Sequence, residues 1–252
     1  MKKILLAAVL VLLAAQFLMA VEGAGQAVIL QHPGYFDRLG YYHVIGEVQN
    51  KGDGALRFVK IIATFYDSAG TVVATSFTFT MIEILHAGQK SPFDLILFDK
   101  AQSAKVDHYE LTITFQQSGS LPVGLEILSH SKHVDAIGWL HVSGEIKNIA
   151  DRDAHFVKVV ATFYDSAGKV VGVSFTFSDP NDLTPGQKAP FEIILLNEEQ
   201  SSRATTYALE AQSSEYNIIP EFTVVALILP VAILLAVAVL RVRLLHKRNR
   251  VV

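Results

Sequence analysis

The chain has 252 residues, 51% of them hydrophobic, a formal net charge of −3 and no cysteine. Without cysteine it can form neither disulfides nor thiolate metal sites, so any domain in it must stand on its own apolar core. Its length fits one large domain or two small ones, and apart from its two ends the chain carries no cluster of basic residues, which argues against nucleic acid as a partner.

Lys2 and Lys3 precede an apolar run from Ile4 to Ala20, interrupted only by Gln16, with the small residues Ala20, Gly23 and Ala24 at its end. This is the layout of a signal peptide over 1–24, an uncleaved N-terminal anchor being the alternative. A first β-domain is expected over 27–116. Ala27 to Leu30 reads as its first strand, and the alternation of His43 to Asn50 as a second, ended by the turn cluster Asn50-Lys51-Gly52-Asp53-Gly54. Phe58 to Tyr66 is rich in β-branched and aromatic residues. Val59, Ile61, Ala63 and Phe65 form its buried face, with Phe58, Lys60, Ile62, Thr64 and Tyr66 on the other. Asp67-Ser68-Ala69-Gly70 is a turn into Thr71 to Phe79, which makes a hairpin. After a further turn at His86 to Lys90, Ser91 to Phe98 and His108 to Phe115 supply the last strands, joined by the polar stretch Asp99 to Asp107.

A linker at 117–124 carries Gly119, Ser120 and Pro122. Beyond it the chain repeats itself at an offset of 98 residues without a gap. Gly46-Glu47-Val48-Gln49-Asn50 returns as Gly144-Glu145-Ile146-Lys147-Asn148. Ala63 to Gly70 returns letter for letter as Ala161 to Gly168, Ser76 to Phe79 as Ser174 to Phe177, and Gly88-Gln89-Lys90 as Gly186-Gln187-Lys188. A second domain therefore occupies 125–216. Short strands, turns and no long amphipathic helix predict a mainly β chain of two tandem antiparallel β-sandwiches, each of six or seven strands, set end to end.

A juxtamembrane segment, 217–222, leads to Thr223–Leu240, which is uncharged and long enough to cross a membrane as a helix. Arg241, Arg243, Lys247, Arg248 and Arg250 follow it in the tail 241–252. Such a cluster is retained on the cytoplasmic side, leaving the repeats outside. The expected localisation is the cell membrane, single-pass, with the lipid bilayer as a partner and a distinctly acidic exported part.

Gly-Glu-Val/Ile-x-Asn, a strand ending Phe-Tyr-Asp, the turn Ser-Ala-Gly and then Val-Val make both copies resemble the FxLYD domain, an exported β-sandwich module of bacteria and archaea. Where that family has Phe-x-Leu-Tyr-Asp, this chain has Ala63-Thr64-Phe65-Tyr66-Asp67 and Ala161-Thr162-Phe163-Tyr164-Asp165. Only Tyr and Asp match there, and an Ig-like relative is the alternative. The resemblance implies a fold and an extracytoplasmic setting, and no activity. Pro220-Glu221-Phe222, placed before the span and its basic tail, is similar to archaeal PEF-CTERM sorting signals. That similarity implies an archaeosortase-type processing enzyme as partner, removal of the span and attachment to the cell surface by other means. A plain linker before a permanent span is the other reading.

The candidate ligating residues are His32 with its repeat His130, His43 with its repeat His141, and His133, each repeated pair spanning an aspartate, Asp37 or Asp135. Imidazoles with a carboxylate suit Zn(II) or Cu(II), while a half-exposed histidine on a strand face explains His43 and His141 equally. Asp53, Asp151, Asp153, Asp179 and Asp182 lack the ordered spacing of a calcium loop. No Gly-x-Ser-x-Gly, phosphate-binding glycine loop or His-Glu-x-x-His is present. The expectation is a non-enzymatic protein without cofactor, displaying its modules to other envelope or surface-layer proteins or to surface polymer. Tyr41, Tyr42, Trp139, Phe77, Phe79, Phe175 and Phe177 are candidate contact residues. A metal-binding role for the histidines and an accessory role in a membrane complex are the alternatives.

Overall fold

The structure is a computed structural model that describes residues 26–219. The expected signal peptide, the Pro220-Glu221-Phe222 segment, the span at 223–240 and the cations from Arg241 to Arg250 lie outside them. Among the described residues no helix is long and apolar enough to cross a membrane. The described residues are mainly β, and all of their strand pairs but one are antiparallel.

In the first repeat, β3 (Tyr42–Asn50) is the centre of one sheet. It pairs with β1 (Ala27–Ile29) and β2 (Gly34–Phe36) on one side and β7 (Lys90–Leu97) on the other. β4 (Ala55–Tyr66) is the centre of the second sheet, between β8 (His108–Ser118) and the pair β5 (Val72–Phe79) and β6 (Ile84–Leu85). Alternation decides which face meets the other sheet. Val44 and Val48 of β3, and Val59, Ile61, Ala63 and Phe65 of β4, enter one core with Phe93 and Leu95, as a half-buried strand of period two requires. Burying a side chain such as Phe65 or Phe93 contributes about 1.5–3 kcal/mol each.

The second repeat follows the same plan 98 residues later. One sheet comprises β9 (Val123–Val134), β10 (Leu140–Asn148) and β13 (Lys188–Leu195), and the other β11 (Lys158–Tyr164), β12 (Val170–Phe177) and β14 (Thr206–Gln212). Here β15 (Asn217–Ile218) bridges the two, antiparallel to β14 and parallel to β9. Asn217 and Ile218 are thus part of the second repeat, and Ile218 is buried in its core.

The polar connections after β7 and β13 each hold one short helix, α1 (Lys100–Ser103) and α2 (Glu198–Arg203), begun by Asp99 and Asn197 as N-caps. Ser103 Oγ receives the Tyr42 N–H at 3.1 Å and donates to Leu97 O at 3.0 Å. Ser201 makes the same two bonds to Leu140 N–H and Leu195 O. The repeated Gly-Glu-x-x-Asn stretch also has a structural cause. A Cβ at Gly46 would lie 2.8 Å from the Phe93 ring and closer still to the Gln31 carbonyl, so only glycine lets that ring lie on the strand. Asn50 Nδ2 donates to Gly54 O and Leu85 O, and Asn148 Nδ2 to Arg152 O and Leu183 O, closing the turn after β3 and β10.

Of the described residues, 26–218 form one compact unit. The repeats are not strung end to end. The outward face of β3 and β7 packs on the outward face of β11 and β12. The Tyr164 hydroxyl donates to Glu47 Oε1 at 2.6 Å, Gln31 Nε2 to Gly168 O at 3.0 Å, and Gln89 Nε2 to Glu210 Oε2 at 2.7 Å. Gln212 Oε1 accepts from Glu83 N–H and Ile84 N–H, at 3.0 and 2.9 Å. These polar outer-face residues give no periodic signal of burial in the sequence, which is why an extended arrangement is the natural reading of it.

Candidate functional site

The predicted histidine set divides into separate arrangements. His43 is buried, with Nδ1 2.9 Å from Asp94 Oδ1 and Nε2 3.5 Å from Asp37 Oδ2, and it stacks on Tyr35 at 4.9 Å. Burial alone would lower its pKa, but the bonds and charges of Asp94 and Asp37 outweigh this and the net direction is up. In the second repeat His141 sits between Asp135 and Glu192, each at 3.2 Å, and stacks on His133 at 4.8 Å. Its pKa too is raised, burial being outweighed by the two carboxylates.

His130 falls on the other side of β9 from His133, three residues away, and its Nδ1 meets the Tyr207 hydroxyl at 2.6 Å. His32 has the same relation to Tyr109, at 3.3 Å. The structure therefore brings His133 to His141 and leaves His130 and His32 elsewhere. Among the described residues no group of three or more His, Asp and Glu is disposed to hold a metal ion.

The aspartates at the hairpins serve their turns. Asp67 Oδ1 accepts from Ala69 N–H and Thr71 N–H, Asp165 Oδ1 from Ala167 N–H and Lys169 N–H. Glu47 is buried, with Lys90 at 3.6 Å and the Tyr164 hydroxyl on its carboxylate. Burial, then the bond to Glu47 and its charge, push the Tyr164 hydroxyl pKa upward.

What gathers at the junction of the repeats is aromatic. Phe58 and Phe79 of the first repeat line an open groove of about 520 Å³ with Arg57, Met81 and Lys158. Met81, Glu83 and Lys158 also belong to its continuation, which Phe156 and Phe177 of the second repeat line. All four phenylalanines are exposed, Phe58 by 58% and Phe156 by 60%. Lys158 lies centrally, donating to Met81 O at 3.3 Å, 3.6 Å from Glu83, and above the Phe175 and Phe177 rings. Lys60 lies over Phe77 at 3.8 Å in the same way.

The groove owes its walls to two backbone features. Phe58 and Phe156 have positive φ, 50° and 54°, which is rare for a bulky side chain and costs on the order of 1–3 kcal/mol. In the first repeat this accompanies a bulge in β4 between Arg57 and Lys60. The same strain recurs in both copies, each time at an exposed phenylalanine. Phe77 and Phe79, two residues apart on β5, share the outer side of the sheet as an edge-to-face pair 6.0 Å apart. Phe175 and Phe177 repeat this at 6.1 Å. Of the aromatics singled out by sequence these four are exposed, whereas Tyr42 packs on the core. The role of Met81 and Lys158 escaped sequence reasoning because the groove exists only once the repeats meet.

No family model matches the chain, and no curated protein matches it. Among solved structures it is similar to the exo-chitosanase CsxA of Amycolatopsis orientalis, at 12% identity and a TM-score of 0.28 over 74% of this chain and 26% of that one. It is also similar to red sea bream transglutaminase, at 8% identity and a TM-score of 0.24 over 79% and 30%. The chain thus spans less than a third of either protein, and likenesses this slight have no bearing on what it does.

Proposed function

We propose that the chain is a non-enzymatic, surface-displayed interaction module. In this reading two FxLYD-like or Ig-like sandwiches, exported by the signal peptide, present the junctional groove to another envelope protein. The observation that carries the proposal is the groove itself: exposed Phe58, Phe79, Phe156 and Phe177, two from each repeat, around Met81 and Lys158. A soluble protein leaves a contiguous aromatic surface open when something is to cover it, and aromatic residues with Met are the types enriched where partners meet. Arg57, whose guanidinium lies over the Phe58 ring, favours an apolar segment flanked by a carboxylate, while Lys158 is paired with Glu83. The span and its basic tail hold the module at the membrane with the C-terminus inside, unless processing at Pro220-Glu221-Phe222 transfers it to another anchor.

Binding of the purified protein to envelope fractions of its own source cells tests the reading. Saturable binding that falls at least tenfold in the Phe58→Gly, Phe156→Gly double variant, with unchanged circular dichroism, is the expected result. Equal binding by the folded variant would overturn it.

A further inference from the structure

Each repeat carries two outward sheet faces, and in each case one is used and its duplicate is not. The first repeat covers the second with the face bearing Ile45, Glu47 and Pro92, all buried. The counterparts 98 residues on, Ser143, Glu145 and Pro190, lie open to solvent in whole or in part. The second repeat receives that contact on Val160, Thr162 and Val170, which are 1%, 4% and 1% exposed. Their counterparts Ile62, Thr64 and Val72 are only partly covered or open, and Val72 is 55% exposed. The contact is therefore heterologous, one kind of face meeting another kind. One unused copy of each kind remains, on different repeats.

We propose that copies of this chain join head to tail by reusing this contact between molecules, the second repeat's face of β9, β10 and β13 docking on the first repeat's face of β4, β5 and β8. A heterologous contact that leaves both of its faces free continues into a chain or ring of copies. The second copy is the occupant because the internal contact is its template, and several of its parts are duplicated. Tyr164 with Glu47 corresponds to Tyr66 with Glu145, Gln89 to Gln187, and Lys158 to Lys60. The free state keeps these groups partnered: the Tyr66 hydroxyl donates to Glu110 at 3.2 Å and Lys188 holds Glu145 at 3.2 Å. Docking thus exchanges partners, and Lys188 supplies a cation for the carboxylates that meet. The two faces also match in character, Ser129, Ser131 and Ser143 on one and Thr64, Thr75 and Thr112 on the other. Phe175 and Phe177 stay exposed beside the covered face of the second repeat, so docking on the first repeat leaves its aromatic groove accessible.

The chain has no cysteine, so introduced pairs report contacts without background. Val170 N–H donates to Gln31 Oε1 at 3.1 Å inside the molecule, and Val72 and Ser129 occupy the duplicate positions, both exposed. Full-length Val72→Cys, Ser129→Cys protein in mild detergent, oxidised at increasing concentration, should give a ladder of disulfide-linked multimers on non-reducing gels. Adding Ser143→Arg, on the open face, should reduce the ladder at least tenfold. The Gln31→Cys, Val170→Cys protein should give an intramolecular disulfide, verifying the template. Monomer alone from the first variant, with the template disulfide formed, overturns the proposal, as does a ladder insensitive to Ser143→Arg.

Discussion

At the residue scale the duplicated tyrosines Tyr66 and Tyr164 offer an internal control. They occupy the same position in their repeats, but only Tyr164 satisfies a buried carboxylate across the junction, while Tyr66 bonds an exposed one. Removing a partner from a buried acceptor costs about 1–3 kcal/mol, and a surface change less than about 0.5 kcal/mol. Tyr164→Phe should therefore lower unfolding free energy by about 1–3 kcal/mol and Tyr66→Phe should leave it nearly unchanged, as measured by urea denaturation. The histidines predict a pH profile. The raised pKa of His43 gives stability present in full below its unfolded value of about 6.5 and lost as pH rises through the folded pKa. For Asp37, burial acts upward but is outweighed by the bonds from Tyr41 N–H, Leu39 N–H and His43, so its pKa is depressed. Its contribution is present above about 3.9 and lost as pH falls through the folded pKa. His141 and Asp135 shift in the same directions. The melting temperature should peak in mildly acidic solution and decline towards pH 8, and His43→Gln with His141→Gln should flatten that decline.

At the scale of single elements, two strands explain most of what the duplication preserves. In β3, Gly46 admits the Phe93 ring, so Gly46→Ala should overpack the core and cost about 1–3 kcal/mol in the same denaturation experiment. In β4, Phe58→Gly relieves a positive φ while removing a side chain that is 58% exposed. Its melting temperature should move little even as partner binding is lost. The sequence made much of this legible. The alternation in Phe58 to Tyr66 marked Val59, Ile61, Ala63 and Phe65 as buried, and all four are. Asp67-Ser68-Ala69-Gly70 announced its turn through the aspartate and a glycine with φ of 77°. The helix at Lys100–Ser103 was hidden because a single turn of Lys, Ala, Gln and Ser shows no period, and only the cap Asp99 signals it. His43 read as a polar strand residue because nothing local shows that Asp94, on the neighbouring strand, comes to lie beside it.

At the scale of the whole molecule, the gapless repeat revealed two copies of one domain but not their contact. Duplicated sequences suggest equivalent domains, and Glu47 differs from Glu145 only in what covers it. The asymmetry arises when one repeat lays its outward face on the other, and that contact creates the aromatic groove and leaves two unlike faces open. Calorimetry on residues 26–219 tests this contact most directly. If the repeats are bound through Glu47, Gln31, Gln89 and Gln212, the protein unfolds in one transition whose calorimetric and van't Hoff enthalpies agree, and Tyr164→Phe moves that transition as a whole. Two separate transitions in the unaltered protein, with Tyr164→Phe shifting neither, would contradict it.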